Sequence, residues 1–351
     1  MQKQKIFFGY FPNTDIPYVK EPTHEEKWKL INDTFQSFVG NEAAVRKVKT
    51  AAFTSLGRFN HVMQDINFAF FGPASSGKTT LGRLYAKVVD LPYLEISPKS
   101  IKTVGDLFAE IGKVLEESGL PLCPIKENHF VLPPMVIMID EVHALSKGVV
   151  QGLLKATEHN DAQMNTEDGY YVNTKNVTWM IATTDEGNLF DAFRTRFSSV
   201  NLKYLSKEEI GLIISKSNPD LPEELCQLVA HYNSRIPRKA LEFTRYMRMV
   251  KGMHPNKSWY AVARKVAKDE GIDEFGMHEI HLKILRALGK GPVAKNRMSI
   301  VSGRKDEETE RYIMPWLLCE TDDQPSLVTV GAKGYLITEA GREELIKRGI
   351  K

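Results

Sequence analysis

Phe68-Ala-Phe-Phe71 runs directly into Gly72-Pro-Ala-Ser-Ser-Gly77-Lys78-Thr79, and these eight residues match GxxxxGK[ST] at every specified position. The apolar run before the glycines reads as a buried strand, and Thr79 to Val89 behind them as a helix. In that setting the loop is a cradle for phosphate. Its glycines let the backbone wrap a diphosphate, whose charge meets successive N–H groups and the positive end of the helix. Lys78 reaches the outer phosphates, and the Thr79 hydroxyl is placed to ligate Mg²⁺. Pro73, Ala74, Ser75, Ser76 and Thr80 belong to the same expected ATP-contacting set, which Phe38 and Val39 complete ahead of the sheet.

Outward from this loop, Tyr93–Ile96, Met135–Ile139 and Val177–Ile181 are further apolar strands, and a helix is predicted over 104–117. Apolar strands alternating with helices predict an α/β fold with a parallel sheet covered on both faces. The expected organisation is an N-terminal extension over 1–34, a nucleotide-binding α/β domain over 35–203, a small helical domain over 204–270 and a tail over 271–351. Pro222 and Pro237 each open a helix in the third of these. In the tail, Leu327–Val330 and Tyr335–Thr338 form a hairpin about a Gly-containing turn, and helices followed by a hairpin predict a winged helix. Residues 1 to about 30, broken by Pro12, Pro17 and Pro22, are expected to be irregular, and Gly271 to Gly276 to be a linker.

With 351 residues, 42% hydrophobic and 26% charged, the chain has the balance of folded protein, which excludes disordered, collagen-like and disulfide-scaffold classes. No apolar run reaches the roughly 18 residues that span a bilayer, and the start lacks a signal-peptide core, so a cytoplasmic location is expected. Cys123, Cys226 and Cys319 have neither disulfide-framework nor zinc spacing. His278 and His281 are helix neighbours without a third ligand, and are expected at a surface or interface. The formal charge of +3 names no partner, but residues 203–268 hold 13 basic and 6 acidic residues, so any polyanion surface is regional.

The strand Met135–Ile139 ends in Asp140-Glu141, 61 residues after Thr79. Acidic pairs at strand ends often cap helices; beside a phosphate loop they form a Walker B pattern, with Asp140 holding the Mg²⁺ shell and Glu141 polarising the attacking water. The strand ending in Thr183-Thr184 places a polar tip beside Glu141. Phe193-Arg194-Thr195-Arg196-Phe197 offers two arginines that either stabilise a transferring phosphoryl group or form surface salt bridges. Arg238 lies in a first helical turn, where the dipole gives a cation nothing, so it either meets a phosphate or is solvated.

Motif order and spacing resemble the AAA+ ATPases and, within them, the RuvB family of Holliday-junction branch-migration motors. Asp140-Glu-Val-His143-Ala-Leu-Ser146 is similar to the family's DEIHRLS, Ile181-Ala-Thr-Thr184 to GATT, Phe193-Arg-Thr-Arg196-Phe197 to LRDRF and Arg235-Ile-Pro-Arg238-Lys-Ala240 to RGTPRIA. Ile272–Met277, Gly291-Pro-Val293, Met314–Leu318 and Ala332–Thr338 follow the order of the family's linker, GGPV turn, EPYLI helix and wing. The resemblance implies that Thr183 senses the γ-phosphate, Arg238 acts as sensor 2 from a helical lid, and Arg196 completes a neighbouring subunit's site in trans. It implies a homo-oligomeric, hexameric ring on branched or duplex DNA, with Lys333 and Arg342 as the cations of the wing region, and a RuvA-like partner docked on a hairpin between Glu158 and Val177. Leu120 to Pro134 reads as an insertion relative to the family. Two other readings use the same core: a clamp-loader or replication-initiator switch, and a winged-helix DNA-binding module whose assembly ATP controls.

Overall fold

The computed structural model describes residues 22–56, 66–120, 122–158, 161–184, 195–233, 236–321 and 324–350; the irregular stretch expected over 1–21 and Arg194 lie outside them. Contacts divide the chain into two units. One holds the described residues up to Gly72 and Gly77–Leu202, the other Pro73–Ser76 and Lys203 onward.

In the first unit, β1 (Asn67–Phe71), β2 (Tyr93–Ile96), β5 (Met135–Ile139), β8 (Val177–Thr183) and β9 (Phe197–Asn201) pair in the order β2-β5-β8-β1-β9, all parallel. Successive side chains on a strand point to opposite faces, so each apolar run feeds two cores. Phe68, Phe70, Val136, Met138, Met180 and Ala182 pack beneath α1 (His24–Phe35), α2 (Glu42–Ser55) and α3 (Lys78–Val89). Ala69, Phe71, Ile137, Ile139, Trp179 and Ile181 pack against α4 (Val104–Glu117) and α5 (Lys147–Ala156) on the other face. Burial on both sides explains why these strands read as continuous apolar runs rather than alternating ones.

Two differences from the sequence expectations stand out in this unit. Residues 24–30, expected to be irregular, are helical in α1, which buries Ile31 and Phe35 in the α3-side core. Its start is a capping box: the Thr23 hydroxyl accepts from Glu26 N–H while the Glu26 carboxylate accepts from Thr23 N–H at 2.7 Å. The second difference is a four-stranded sheet of β3 (Cys123–Lys126), β4 (His129–Val131), β7 (Tyr171–Asn173) and β6 (Gln163–Asn165), in that order. It joins the 120–134 segment, through the parallel β4–β7 pairing, to the hairpin between Glu158 and Val177. Glu167 in that hairpin accepts from the N–H groups of Val104 and Gly105 at 3.2 and 2.9 Å, where helix α4 has unpaired donors. A hydrogen bond from its own backbone N–H, then those from Gly105 and Val104, hold its carboxyl below the usual range.

The second unit contains α6 (Lys207–Ser217), α7 (Glu223–Tyr232), α8 (Pro237–Met253) and α9 (Trp259–Asp269), whose apolar faces meet around Leu225, Phe243, Met247 and Val266. Pro222 is the N-cap of α7 and Pro237 the first residue of α8. Beyond them, α10 (Glu279–Gly289), α11 (Met298–Ser302) and a helical run from Asp306 to Leu318 pack on a hairpin of β10 (Val328–Gly331) and β11 (Gly334–Ile337). Val293 bridges to Tyr335 as a third, one-residue strand, and α12 (Glu339–Lys347) closes the chain. These elements form a winged helix. The expected linker is an ordered turn: the Asp273 carboxylate accepts from Phe275 and Met277 N–H, and Gly276, at φ +78°, sits so close to the His231 carbonyl that a Cβ would lie 2.2 Å from its oxygen. His281 is buried, stacked on Trp316 at 4.1 Å, rather than at a surface, and His278 caps α10 by accepting from Ile280 N–H.

Candidate functional site

The chemistry-bearing residues gather at the carboxyl ends of three neighbouring strands, where parallel sheets place their ligand crevices. Strand β8 lies between β1 and β5. Its register sets Thr183 level with Phe71, the residue before Gly72, and Ile181 level with Ile139, the residue before Asp140. The phosphate loop, the polar strand tip and the acidic pair therefore occupy one edge of the sheet because their strands are paired this way, not because they are close in sequence.

The loop is built from conformations that favour glycine. Gly72 has φ +146° and Gly77 φ +100°; a Cβ on Gly72 would meet the Leu202 carbonyl oxygen at 2.4 Å, and one on Gly77 the Phe38 ring at 2.8 Å. Ser75 also adopts a positive φ, at 64°. Lys78 opens α3 with its side chain buried, and its ammonium donates to the Gly72 carbonyl at 2.8 Å. Ser76 Oγ is buried without a hydrogen-bond partner, a cost a loop accepts when a ligand oxygen is meant to satisfy the group. A cradle closed to any Cβ, a buried cation and an orphaned hydroxyl fit a phosphate chain. Thr79 and Thr80 follow on α3, and the Thr79 carbonyl accepts from the Tyr93 hydroxyl at 3.5 Å. Phe38, half-buried, packs against the α3-side core and lies against Gly77, and Val39 is buried beside it in sequence.

Asp140 stands at the end of fully buried β5. Burial, then the neighbouring Glu141 charge, pushes its carboxyl above the usual range, and Lys78 pulls the other way. A divalent cation would relieve that repulsion, and hydroxyl, carboxylate and phosphate oxygens suit Mg²⁺, which needs no all-protein cage. Among the described residues no group of three or more His, Cys, Asp and Glu could hold a metal ion.

Glu141 has φ 52° and ψ 49°, a left-handed conformation that turns the chain into the 3-10 turn Val142–Ala144. Its Oε2 accepts from the Thr184 hydroxyl at 3.1 Å and from Thr184 N–H at 3.4 Å. His143 Nδ1 lies 3.3 Å from the same oxygen and 2.8 Å from the hydroxyl of buried Thr183. The sequence pointed to Glu141 and to the Thr183-Thr184 tip beside it, of which Thr184 is the residue that meets the carboxylate; the contacts of His143 emerge from the fold. The histidine's place in the motif was the one signal available.

The arginines are placed differently. Arg196 precedes β9, and its Nη2 lies 3.5 Å from Glu158 Oε1 beyond the end of α5. Arg238 is exposed in the first turn of α8. Within the second unit it lines a small pocket with Ala74, Ser75, Tyr204, Ile236, Lys239 and Pro315. Lys333 is exposed in the β10–β11 turn, and Arg342 is exposed on α12.

Residues 68–204 match the AAA family, the ATPase family associated with various cellular activities. Over 329 residues the chain is 25% identical to the Holliday junction branch migration complex subunit RuvB of a Wolbachia from Drosophila simulans, covering 89% of this chain and 93% of that protein. The corresponding subunit of Mycoplasma pneumoniae is 25% identical, covering 89% and 96%. In fold, the chain resembles the Thermotoga maritima RuvB Holliday junction branch migration motor with a TM-score of 0.71 at 22% identity, over 92% of this chain and 99% of that one. No described helix is long and apolar enough to cross a membrane.

Proposed function

We propose that the chain, which carries an AAA-family ATPase segment and is similar to RuvB over nine-tenths of its length, is a nucleotide-binding motor that couples ATP hydrolysis to branch migration of four-way DNA junctions. The observation that carries the reading is the alignment of the Gly72–Thr79 loop, Thr183 and Asp140-Glu141 at one sheet edge, within a chain similar to RuvB over nine-tenths of its length.

In this reading the loop N–H groups and Lys78 bind the phosphates, while Thr79 and Asp140 hold Mg²⁺. The metal would supply charge neutralisation at the β- and γ-oxygens. Glu141 orients the water and takes its proton, and Thr183 reports the γ-phosphate. Arg238 serves the same nucleotide from the helical lid, and Arg196 serves the neighbouring subunit of a hexameric ring, released from Glu158 on assembly. Phe38 and Val39 flank the base. A RuvA-like partner docks on the sheet β3-β4-β7-β6, where Ile125 and Tyr171 are exposed.

In this reading DNA contact belongs to the winged helix, and further exposed cations beside Lys333 and Arg342 support a wider surface. Lys290, Lys295, Arg297, Arg304 and Lys305 are all exposed, and residues 290–305 contain no acidic residue. Lys295 Nζ lies 6.0 Å over the ring of Tyr335 in β11, which places this cationic stretch beside the wing.

The test is ATP turnover and strand exchange on a synthetic four-way junction. Junction DNA is expected to stimulate turnover, and replacing Lys295 and Arg297 with Ala should weaken binding and lower the salt dependence of affinity by about one phosphate contact per cation removed. Turnover that responds to a sliding clamp and not to a junction would replace the motor reading with a loader.

A further inference from the structure

His143 is a residue that the assignments above leave without a task, yet it touches both groups on which hydrolysis is proposed to depend. It sits two residues beyond Glu141 in the 3-10 turn Val142–Ala144, and its ring reaches across to the end of β8. One atom makes both approaches: Nδ1 is 2.8 Å from Thr183 Oγ1 and 3.3 Å from Glu141 Oε2. The Thr184 hydroxyl and N–H engage the same carboxylate oxygen.

We infer that His143 is a positioning residue that couples the γ-phosphate-sensing hydroxyl of Thr183 to the water-orienting carboxylate of Glu141; this rests on the roles proposed for those two residues. The argument is one of hydrogen-bond polarity. A hydroxyl carries one proton and an imidazole Nδ1 either gives or takes one, according to tautomer. When Thr183 donates its proton to a phosphate oxygen, Oγ1 can accept from Nδ1–H, a proton that also faces Glu141 Oε2 and is shared between the two oxygens. When Thr183 donates to the ring instead, Nδ1 is an acceptor and cannot also donate to Glu141. The partner chosen by Thr183 therefore sets whether His143 presents a proton or a lone pair toward Glu141 Oε2.

The carboxylate is sensitive to this because its backbone is already committed. Glu141 holds a left-handed conformation that non-glycine residues rarely adopt, and its side chain is steered by contacts that all converge on Oε2. Oε1 takes part in none of these contacts. Thr184 anchors the carboxylate constantly; His143 adds the contact that depends on Thr183. Misplacement of a general base by about 1 Å is enough to lose on the order of 100-fold in rate without loss of binding.

The experiment compares full-length His143→Ala, His143→Asn and His143→Gln for ATP turnover and for affinity toward a fluorescent ATP analogue. An Asn amide reaches the position of Nδ1, whereas Gln reaches that of Nε2. Expected are a fall in kcat of about tenfold or more for Ala and Gln with nucleotide affinity changed less than about threefold, and recovery of most of kcat by Asn. Equal turnover by Asn and Gln, or wild-type turnover by Ala, would overturn the inference; if Ala fails to fold, the Asn–Gln comparison decides alone. Glu141→Gln in the same assay separates the two levels. Normal turnover by Glu141→Gln removes the underlying role of Glu141, while a hydrolytically dead Glu141→Gln beside fully active His143 variants removes only the coupling.

Discussion

The ammonium of Lys78 donates to the carbonyl oxygen of Gly72, 2.8 Å away and six residues earlier, so the phosphate loop is closed on itself by its own lysine. The side chain is 6% exposed, and a buried ammonium needs hydrogen-bonding partners to offset desolvation. Lys78→Ala removes both the phosphate contact and this closure. Nucleotide affinity should fall by at least about 100-fold, corresponding to two charge-assisted hydrogen bonds at about 1.5 kcal/mol each, and titration with a fluorescent ATP analogue measures it.

Gly77 is constrained twice, by a φ of +100° and by the Phe38 ring 2.8 Å from where a Cβ would sit. Gly77→Ala should lose nucleotide binding by about tenfold or more while circular dichroism stays unchanged, because the strain is confined to the loop. Adding Phe38→Ala removes the clash but leaves the backbone strain and takes away the proposed base contact, so calorimetric binding should recover in part at most.

Arg196 is paired to Glu158 at 3.5 Å within its own unit. If the guanidinium completes a neighbour's site, Arg196→Ala and Glu141→Gln subunits, each inactive alone, should regain a fraction of ATP turnover when mixed. The recovered fraction should pass through a maximum with mixing ratio. Absence of recovery at every ratio would remove the trans role.

Arg348 anchors the end of the second unit. Its side chain is 6% exposed, lies 2.7 Å from Asp273, pairs with Glu344 and stacks over Phe275 at 4.7 Å. Arg348→Ala should cost about 2 kcal/mol in urea unfolding, since it strands partly buried carboxylates. Burial raises the Glu344 carboxyl, but hydrogen bonds from Lys347 and Arg348 outweigh it and leave the group below the usual range. A depressed carboxyl stabilises fully above its unfolded value, about 4.3, and the contribution is lost as pH falls through the folded value. The stability of the variant should accordingly fall less steeply than wild type below about pH 5.

Much of the candidate site's edge was legible in the sequence, because each part is local. GxxxxGK[ST] between an apolar strand and a helix, and an acidic pair ending a buried strand, require only near neighbours. The helix at His24–Phe35 also had a local mark, the Thr23–Glu26 capping box, which the surrounding prolines obscured. The β3–β4 hairpin had none: Pro124, Lys126 and His129 do not alternate in polarity, and the strands exist because Phe130 and Val131 pair with Val172 and Asn173 some forty residues later.

Sequence alone singled out residues whose chemistry suits a phosphate cradle, a hard cation and an activated water, since that suitability belongs to side-chain chemistry and to backbone freedom at Gly72 and Gly77. Only tertiary structure decided which of them meet. The pairing of β8 between β1 and β5 brings Thr184 to the Glu141 carboxylate and Thr183 to His143 across some forty residues of chain. The contact of Lys295 with Tyr335 extends the cationic face beyond the wing. Hydrogen bonds and ion contacts act over a few ångströms, and separation along the chain does not encode that distance until the sheet register and the packed cores impose it.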